Sequence, residues 1–448
     1  MHRCKVSMDL EFCLSEQQFS LDILVIKLSE LFQSKAFCQI LRLVLMLVEE
    51  ILVLRLLKGR GEACPCGGGR WTLNGSFTRR LRTSLGAVEL PFRRVKCSSC
   101  GKTLVPLQRL LRLGRYQTRT NELERLVVDA VSETSCRRTV AMLTEAGVAA
   151  PPFRTAHDWV LRTGCDEIDI PRKVLEEPLT VFADGTGFKG VPQDGKAAPG
   201  DLKAVVGVTR GGRLVPMGSW AGKSWQEIHD LWKQGRLVLA DGSILVCDGE
   251  LGLSAALAGF ASEQQRCQWH VTRDLYHAMH QDGGGAKEAR PFQKRLAGVM
   301  ALELPADDFE KVAEEDRLAL QERTRLAEAQ VDSLVAELYS LGYCKAADYL
   351  ERAGKGMFGY VRRWLKWGLV SPKASSMIER VMRELGRRIK KIAYGWSDRG
   401  VAKIARIILK RFANKAEWEK YWQEKFGDNL SVVILLRNLK GSSQDFAH

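Results

Sequence analysis

The sequence predicts an α/β fold in which strands and helices alternate around one central sheet. Two segments, VFADGTGFKG (181–190) and SILVCDGELGL (243–253), each begin as an apolar run and reach an aspartate that is followed by glycine. Apolar runs of this length are typical of buried strands, and the glycine lets a ligand approach the sheet edge closely. Asp184 and Asp248 are therefore expected to present their carboxylates at one sheet edge.

The segments around these aspartates predict the order of the elements. Residues 178–269 contain three consecutive strands, a helix over WQEIHDLWKQG, the strand ending on Asp248 and a further helix. Residues 271–371 have helical periodicity almost throughout, and a basic helix is predicted over about 374–392. This order matches a ribonuclease-H-like sheet interrupted by an all-helical insertion.

The rest of the chain predicts modules on both sides of this core. Helical and strand-rich stretches alternate before residue 173, and no internal repeat is recognised. The expected boundaries are a helical segment at 1–57, a zinc-ribbon-like unit at 58–105, a helix-turn-helix unit at 106–172, the catalytic core at 173–275 and 372–412, the helical insertion at 276–371, and a helical C-terminal tail at 413–448.

The charge of the chain indicates a polyanionic partner. The net charge is +15, and the excess is concentrated in residues 58–162, with 19 basic and 8 acidic side chains, and in residues 356–411, with 15 and 3. Electrostatic attraction to phosphate supplies most non-specific affinity for nucleic acid. We therefore expect DNA before a membrane as the partner, the alternative being a basic protein without such a partner.

The cysteines and the apolar stretches indicate a cytoplasmic protein. Most of the twelve cysteines are scattered, which is typical of a reducing compartment. No signal-peptide pattern is recognised at the start of the chain. Charged residues such as Arg42, Glu49 and Arg55 interrupt the apolar stretch 36–57, so we expect no membrane span there. That stretch is predicted to be an amphipathic helix for dimerisation or core packing.

A third carboxylate is needed if the two aspartates hold catalytic metal ions. Two divalent ions about 4 Å apart can activate an attacking oxygen and stabilise a leaving one, and carboxylates distant in sequence usually hold them. Glu379, in the basic helix, is the preferred candidate and Glu384 is its rival. The alternative role of each is an ion pair four residues along the helix, with Arg383 and Arg388 respectively.

Four cysteines on two glycine-containing turns predict a zinc ribbon. Cys64 and Cys66 lie in CPCGGGRW, and Cys97 and Cys100 lie in KCSSCGK, with a predicted hairpin between them. Zinc is commonly held by four thiolates delivered from two such turns. The alternative is two pairs of reduced thiols. In either case the arginines of the hairpin are expected to face phosphate: Arg79, Arg80, Arg82, Arg93 and Arg94.

Residues 119–163 predict a helix-turn-helix. A helix is followed by SCRRTVAMLTEA, by a turn at GVAAPPF and by a last helix that begins near Arg154. The glycine and the two prolines favour the turn. Three-helix cores that do not contact DNA are the alternative. The side chains expected to reach DNA are Ser135, Arg137, Arg138, Arg154, Thr155 and His157.

The ordered motifs resemble those of the DDE transposases of bacterial insertion sequences, in the Mutator-like superfamily. The resemblance spans about 178–412 and rests on DGT at 184–186, DGELGL at 248–253, QRCQWHVTRDL at 265–275 and MIERVMRELGRR at 377–388. It also includes Trp225 after the third strand, Cys267 and His270 as a Cys-x-x-His motif, and Trp396, Ser397 and Gly400 after the last of these helices.

The resemblance implies a function and its residues. Asp184, Asp248 and Glu379 would form a catalytic triad that holds Mg²⁺ or Mn²⁺. The Zn²⁺ expected at the cysteine turns depends on the cysteine spacing and not on the resemblance. The partners would be double-stranded DNA of the transposon ends and the target, and a homodimer or higher oligomer near the bacterial nucleoid is expected. Basic side chains of the Glu379 helix would follow the DNA backbone: Arg380, Arg383, Arg387 and Arg388.

Two other functions remain open at this point. A DNA-binding regulator derived from a transposase would keep the fold without catalysis. A ribonuclease-H-fold nuclease would cleave branched or hybrid substrates without specific ends. For Cys267 and His270, half a zinc site is disfavoured because no second half lies nearby in sequence. A buried pair that fixes the chain after Asp248, or orders DNA near the acids, is the preferred interpretation.

Overall fold

The computed structural model describes residues 36–67, 70–164, 175–191, 198–390, 395–413 and 415–426. Over these residues the protein is a mixed α/β structure with two separate sheets. The predicted helical structure of residues 1–35 and the end of the tail, 427–448, lie outside the described residues.

A long helix and a β-hairpin form the N-terminal part. Helix α1 (Phe37–Leu57) packs against the antiparallel strands β1 (Trp71–Thr83) and β2 (Gly86–Cys97), and the short strand β3 (Thr103–Leu104) pairs with β2. The inward side chains of β2 and the apolar stripe of α1 share one core. This arrangement agrees with the strand-and-turn organisation predicted for 58–105.

Four helices follow, as the periodicity of residues 106–165 predicts. They are α2 (Pro106–Leu110), α3 (Asn121–Glu133), α4 (Cys136–Glu145) and α5 (Phe153–Arg162). Side-chain caps start two of them, because Thr120 and Ser135 each accept a hydrogen bond from a backbone N–H three residues ahead. Helices α3, α4 and α5 contact one another in pairs and form a three-helix unit.

The central sheet has five strands in the order β6-β5-β4-β7-β8. Strands β4, β5 and β6 are antiparallel, whereas β7 runs parallel to β4 and β8 runs parallel to β7. Helices α6 and α7 cover one sheet face, where they share a core with Val181, Ala183 and Leu245. The bounds are β4 (Thr180–Lys189), β5 (Pro199–Val208), β6 (Leu214–Ala221), α6 (Trp225–Gln234), β7 (Ile244–Cys247), α7 (Leu251–Leu257) and β8 (Glu263–Arg266).

Five helices after β8 form a helical unit around one apolar core. This unit begins with α8 at Gln268, before the boundary predicted at residue 276, since Val271 and Leu275 already belong to its core. The bounds are α8 (Gln268–Gln281), α9 (Ala286–Val299), α10 (Glu314–Ser340), α11 (Cys344–Gly354) and α12 (Gly359–Trp367).

The helical unit is fastened to the sheet by a buried arginine and a close backbone approach. The guanidinium of Arg363 donates to the carbonyl of Gly242 at 2.6 Å and to the hydroxyl of Thr180 at 2.9 Å. Burial lowers its pKa to about 10. At Gly359, an added Cβ would lie 2.0 Å from the carbonyl oxygen of Gln264 in β8. The unit therefore covers the edge strand of the sheet, which would otherwise offer unpaired backbone groups.

The second sheet face is covered by the C-terminal helices. Helix α13 (Ser376–Ile389) and helix α14 (Asp398–Ala413) share a core with Phe182 and Val246. Helix α14 and helix α15 (Lys415–Phe426) also pack against α3 and α5 of the three-helix unit. The three-helix unit is therefore packed against the half of the chain that contains the central sheet and is not an isolated module.

No helix in these described segments combines the length and the apolar character that crossing a bilayer requires.

Candidate active site and metal centre

The two predicted aspartates lie on neighbouring parallel strands. Asp184 is inside β4, and Asp248 directly follows β7. Phe182 pairs with Val246 in the register of these strands, so each aspartate comes two residues after a paired position. Successive strand residues alternate between faces, and Phe182 and Val246 both lie in the core beneath α13. Both carboxylates are therefore placed on the face that α13 covers.

Asp184 is largely buried and interacts electrostatically with Asp248. Burial, and next the negative charge of Asp248, raise the pKa of Asp184 to about 6. The N–H of Gly185, which donates to Oδ1 of Asp184 at 2.7 Å, and the charge of His270 lower that pKa in part. A buried carboxylate close to a second one is a typical functional-site environment.

Glu379 lies in the first turn of α13, next to Ile378 in the core that faces the aspartates. Its side chain is exposed and forms no salt bridge with another described residue, while the hydroxyl of Ser375 donates to its Oε1 at 3.4 Å. Glu384, by contrast, is paired with Arg387 at 2.8 Å, three residues along the helix. Glu379 is therefore the carboxylate that remains available at this end of the helix.

Cys267 and His270 connect the chain after β8 to the end of β7 and to the start of α13. The N–H of Cys267 donates to the carbonyl of Cys247 at 2.9 Å, and the N–H of Ser375 donates to Sγ of Cys267 at 3.3 Å. The Ser375 hydroxyl also lies 3.4 Å from Nδ1 of His270. Both members of the pair are buried, so they link the residue before Asp248 with the helix that carries Glu379.

Cys267 and His270 also shift each other's pKa. Burial raises the pKa of Cys267, but hydrogen bonds from His270 and Ser375 outweigh it and lower the pKa to about 7. The side-chain hydrogen bond with Cys267 raises the pKa of His270. A positive charge on this imidazole lowers the pKa of Asp184 and so opposes the effect of Asp248.

No protein-family model matches this chain, and a search of curated proteins gives no match.

Two further side chains near the aspartates, Glu250 and Lys203, are not among the residues that the sequence predicts for the site. The Oε2 of Glu250 lies 3.4 Å from where a Cβ on Gly185 would be, and its charge contributes to the raised pKa of Asp184. Lys203, which pairs across the sheet with Gly185, is buried and ion-paired with Asp201. In the sequence, the one signal for Glu250 is its position as the second acid of the DGE triplet. Lys203 has no such signal, because it lies in an ordinary strand pattern.

Arg266 shapes the turn that carries Asp248. Gly249 has a φ of +96°, and a Cβ there would lie 1.3 Å from Nη1 of Arg266, so the guanidinium fills the space beside this glycine. Arg266 is 8% exposed, and its Nε has no hydrogen-bond partner among the described residues. Its backbone N–H donates to the carbonyl of Gly356 at 2.8 Å, which connects the helical unit to the Asp248 turn.

Trp225, the third motif residue, lies in the core behind the site. It is buried at the start of α6, where Ser224 and Glu227 form a capping box. Its ring lies 5.5 Å from Nζ of Lys203. Its place is therefore structural, beneath the strand next to Asp184.

The sulfur atoms of the four cysteines predicted to bind zinc lie close together. The Sγ atoms of Cys64 and Cys100 are 3.5 Å apart, those of Cys66 and Cys97 are 3.7 Å apart, and all four lie within 4.8 Å of one another. A tetrahedral zinc ion with Zn–S distances of about 2.3 Å needs sulfurs about 3.8 Å apart. The donor set therefore fits zinc, as predicted.

The short first turn does not prevent this convergence. The N–H of Gly67 donates to the carbonyl of Cys64, and the N–H of Gly101 donates to that of Cys97. Both glycines have positive φ, so the C-x-C turn and the C-x-x-C turn close in the same way. Backbone hydrogen bonds, with Cys100 first, lower the pKa of Cys97 to about 6, which favours the thiolate that binds a metal.

The cysteines are the group that ligand geometry alone identifies as a candidate metal site. Over the described ranges, the cysteines are the one group of three or more histidine, cysteine or acidic side chains whose ligand atoms all lie within 4.8 Å. Asp184 and Asp248 lie on the sheet face that α13 covers and interact electrostatically, and Glu379 lies in the first turn of α13.

The predicted DNA-contacting arginines fall into two groups. Six are exposed on the surface: Arg80, Arg94, Arg137, Arg138, Arg154 and Arg380. Arg383 and Arg387 are exposed as well, although Arg387 is ion-paired with Glu384. In the hairpin, Arg79 is bound to the carbonyls of Gly114 and Arg115, and Arg93 is ion-paired with Glu50.

Arg388 corrects the prediction of a continuous basic face on α13. It is 6% exposed, its Nε donates to the carbonyl of Val131 in α3, and its guanidinium lies 4.7 Å over the ring of Trp396. Burial lowers its pKa. Its role is to join α13 to the three-helix unit, and it does not present its charge to DNA.

Proposed function

We propose that this protein is a DDE transposase of the Mutator-like type. It would bind the terminal inverted repeats of a mobile element, nick the DNA and join the freed end to a target. The observation that carries the proposal is that Asp184, Asp248 and the helix bearing Glu379 lie on one face of the central sheet.

The strand order supports the fold on which the proposal depends. Three antiparallel strands are followed by two parallel ones in the order β6-β5-β4-β7-β8, and this order is consistent with the ribonuclease-H-like sheet that we propose. In such a sheet the first and fourth strands lie side by side, and here they carry the two aspartates. The third acid, Glu379, lies on a helix that follows the inserted helical unit in the sequence.

The donor set fits hard divalent cations. Carboxylate oxygens are the ligands that Mg²⁺ and Mn²⁺ prefer, and Asp184, Asp248 and Glu379 would hold them. When bound, such ions activate the attacking oxygen and stabilise the leaving one.

The remaining groups would position the site and the DNA. His270 supplies a positive charge next to the aspartates, and Ser375 connects it to Glu379. Arg380 and Arg383 are exposed on α13 and would contact DNA phosphates.

The N-terminal half would recognise the transposon ends. In this proposal, helices α3 to α5 are a helix-turn-helix, with Arg137, Arg138 and Arg154 exposed at the starts of α4 and α5. The hairpin held by the cysteines would be a zinc ribbon that presents Arg80 and Arg94 to the backbone. Joining two ends requires an oligomer, and the apolar side chains that α1 leaves exposed suit such a contact.

The proposal is tested on supercoiled DNA with and without the candidate inverted repeats, in Mg²⁺. We expect end-specific nicking by the wild type and a loss of at least about 100-fold in Asp184→Asn and Glu379→Gln, with DNA binding retained. Glu384→Gln is the matched control, because this glutamate lies on the same helix but is paired with Arg387.

Two results would contradict the proposal. Binding of the repeats without any cleavage by the wild type would favour a DNA-binding regulator. Cleavage that does not depend on the repeats would favour a ribonuclease-H-fold nuclease.

A further inference from the structure

Trp269 is the one exposed tryptophan in this protein. All eleven tryptophans fall within the described residues, and Trp269 is 57% exposed while the others are buried or half-buried. An indole has a large apolar surface that is usually covered. An exposed ring of this size next to functional groups indicates a binding surface.

The ring lies at the rim of the acid site. Trp269 is in the first turn of α8 and precedes His270, whose ring it meets edge to face at 4.8 Å. The N–H of Cys267, which directly precedes α8, donates to the carbonyl of Cys247 at 2.9 Å, so the start of this helix lies beside the residue that precedes Asp248.

A cation lies against the same ring. The guanidinium carbon of Arg273, one turn along α8, is 4.9 Å from the centre of the indole. The hydrogen bond with Asp274 and, in smaller part, the charge of Asp248 raise the pKa of Arg273. An aromatic face and a guanidinium therefore lie together at the start of α8, on the side of the sheet edge where Asp248 follows β7.

We propose that Trp269 is a stacking platform for an unpaired nucleobase of the DNA strand that is held at the acids. This inference rests on the proposed function and adds a feature of its substrate. Every base has a π-face that can stack on an aromatic ring, and Arg273 can bind the neighbouring phosphate. A paired base keeps its faces inside the duplex, so the strand at this position is locally unpaired.

The neighbours of the ring favour a nucleobase over a protein partner. Between residues 268 and 274, Trp269 is the single exposed apolar side chain, because Val271 is buried and the other five positions are polar or charged. A protein-docking face would need a wider apolar surface. A single ring beside a cation suits one base and its phosphate.

The test compares two DNA probes of matched sequence, without added divalent cation so that no strand is cleaved. One is a fully paired duplex, and the other is the same duplex with a single-stranded 3′ overhang of three nucleotides. We expect Trp269→Ala to weaken binding of the overhang about 10-fold more than binding of the duplex. Trp269→Phe, which keeps an aromatic face, is expected to retain most of this preference.

The control is Tyr339→Ala, which removes an exposed aromatic ring from α10 in the acidic part of the helical unit. It is expected to leave the binding of both probes unchanged. A second readout is quenching of the Trp269 fluorescence by iodide, from which the overhang should protect the ring.

The outcomes separate this inference from the proposed function. Equal effects of Trp269→Ala on both probes, or no effect on either, with wild-type duplex binding intact, would overturn the stacking platform alone. Failure of the wild-type protein to bind either probe would overturn the proposed function together with this inference.

Discussion

Replacing Asp184 with asparagine is expected to stabilise the folded protein at neutral pH. The fold holds this carboxylate in a buried position beside Asp248, and its pKa is raised from 3.8 to about 6. One pH unit between the folded and unfolded pKa corresponds to about 1.4 kcal/mol, so the ionised side chain costs the fold about 3 kcal/mol. Asparagine has nearly the same shape and carries no charge.

The pH dependence of this gain has a definite sign. Between pH 3.8 and pH 6 the folded state binds more protons at Asp184 than the unfolded chain does, so stability falls as the pH rises. Below this interval both states are protonated and the cost is absent. The same linkage gives a cost of roughly half of this value at pH 5 and of about 3 kcal/mol at pH 7.5.

The assay is urea unfolding of the wild type and of Asp184→Asn at pH 5 and pH 7.5 without divalent cations. The variant should be more stable at both values, with about twice the gain at pH 7.5. Asp241→Asn, an exposed aspartate on the loop before β7, is the control and should change little. A variant no more stable than the wild type at pH 7.5, or a gain independent of pH, would refute the reasoning.

Three further predictions follow from the contacts of single residues. Cys97→Ser should lower bound zinc, measured by mass spectrometry, from one equivalent to none, whereas Cys344→Ser, an exposed cysteine on α11, should leave it unchanged. Gly249→Ala should lower Mg²⁺-dependent cleavage at least about 10-fold, because its Cβ would overlap a guanidinium, while Gly259→Ala, which has open space, should keep activity. Ser375→Ala should lower cleavage about 10-fold with DNA affinity unchanged in a band-shift assay, and equal losses of both would contradict its positioning role.

The placement of the aspartates could be predicted because it depends on local pattern. The strand that contains Asp184 and the strand before Asp248 are apolar runs with a clear end, and neighbouring parallel strands bring such ends together. The cysteine cluster was predictable for a similar reason, since two glycine turns joined by a hairpin must meet at its open end.

The features that depend on packing between distant segments could not be predicted. Arg388 belongs to a strongly basic helix, and nothing in the sequence indicates that α3 covers it with the carbonyl of Val131. The start of the helical unit was placed too late because Val271 and Leu275 resemble any apolar helix positions. The exposure of Trp269 is likewise a property of the assembled fold.

The central claim is that three acids distant in sequence form one metal site. The most direct measurement is Mn²⁺ binding followed by electron paramagnetic resonance, in the wild type and in Asp184→Asn, Asp248→Asn, Glu379→Gln and Glu384→Gln. We predict that each of the first three substitutions weakens Mn²⁺ binding at least about 10-fold and that Glu384→Gln does not. Wild-type affinity in Glu379→Gln, or a loss in Glu384→Gln as large as in the aspartate variants, would contradict the account.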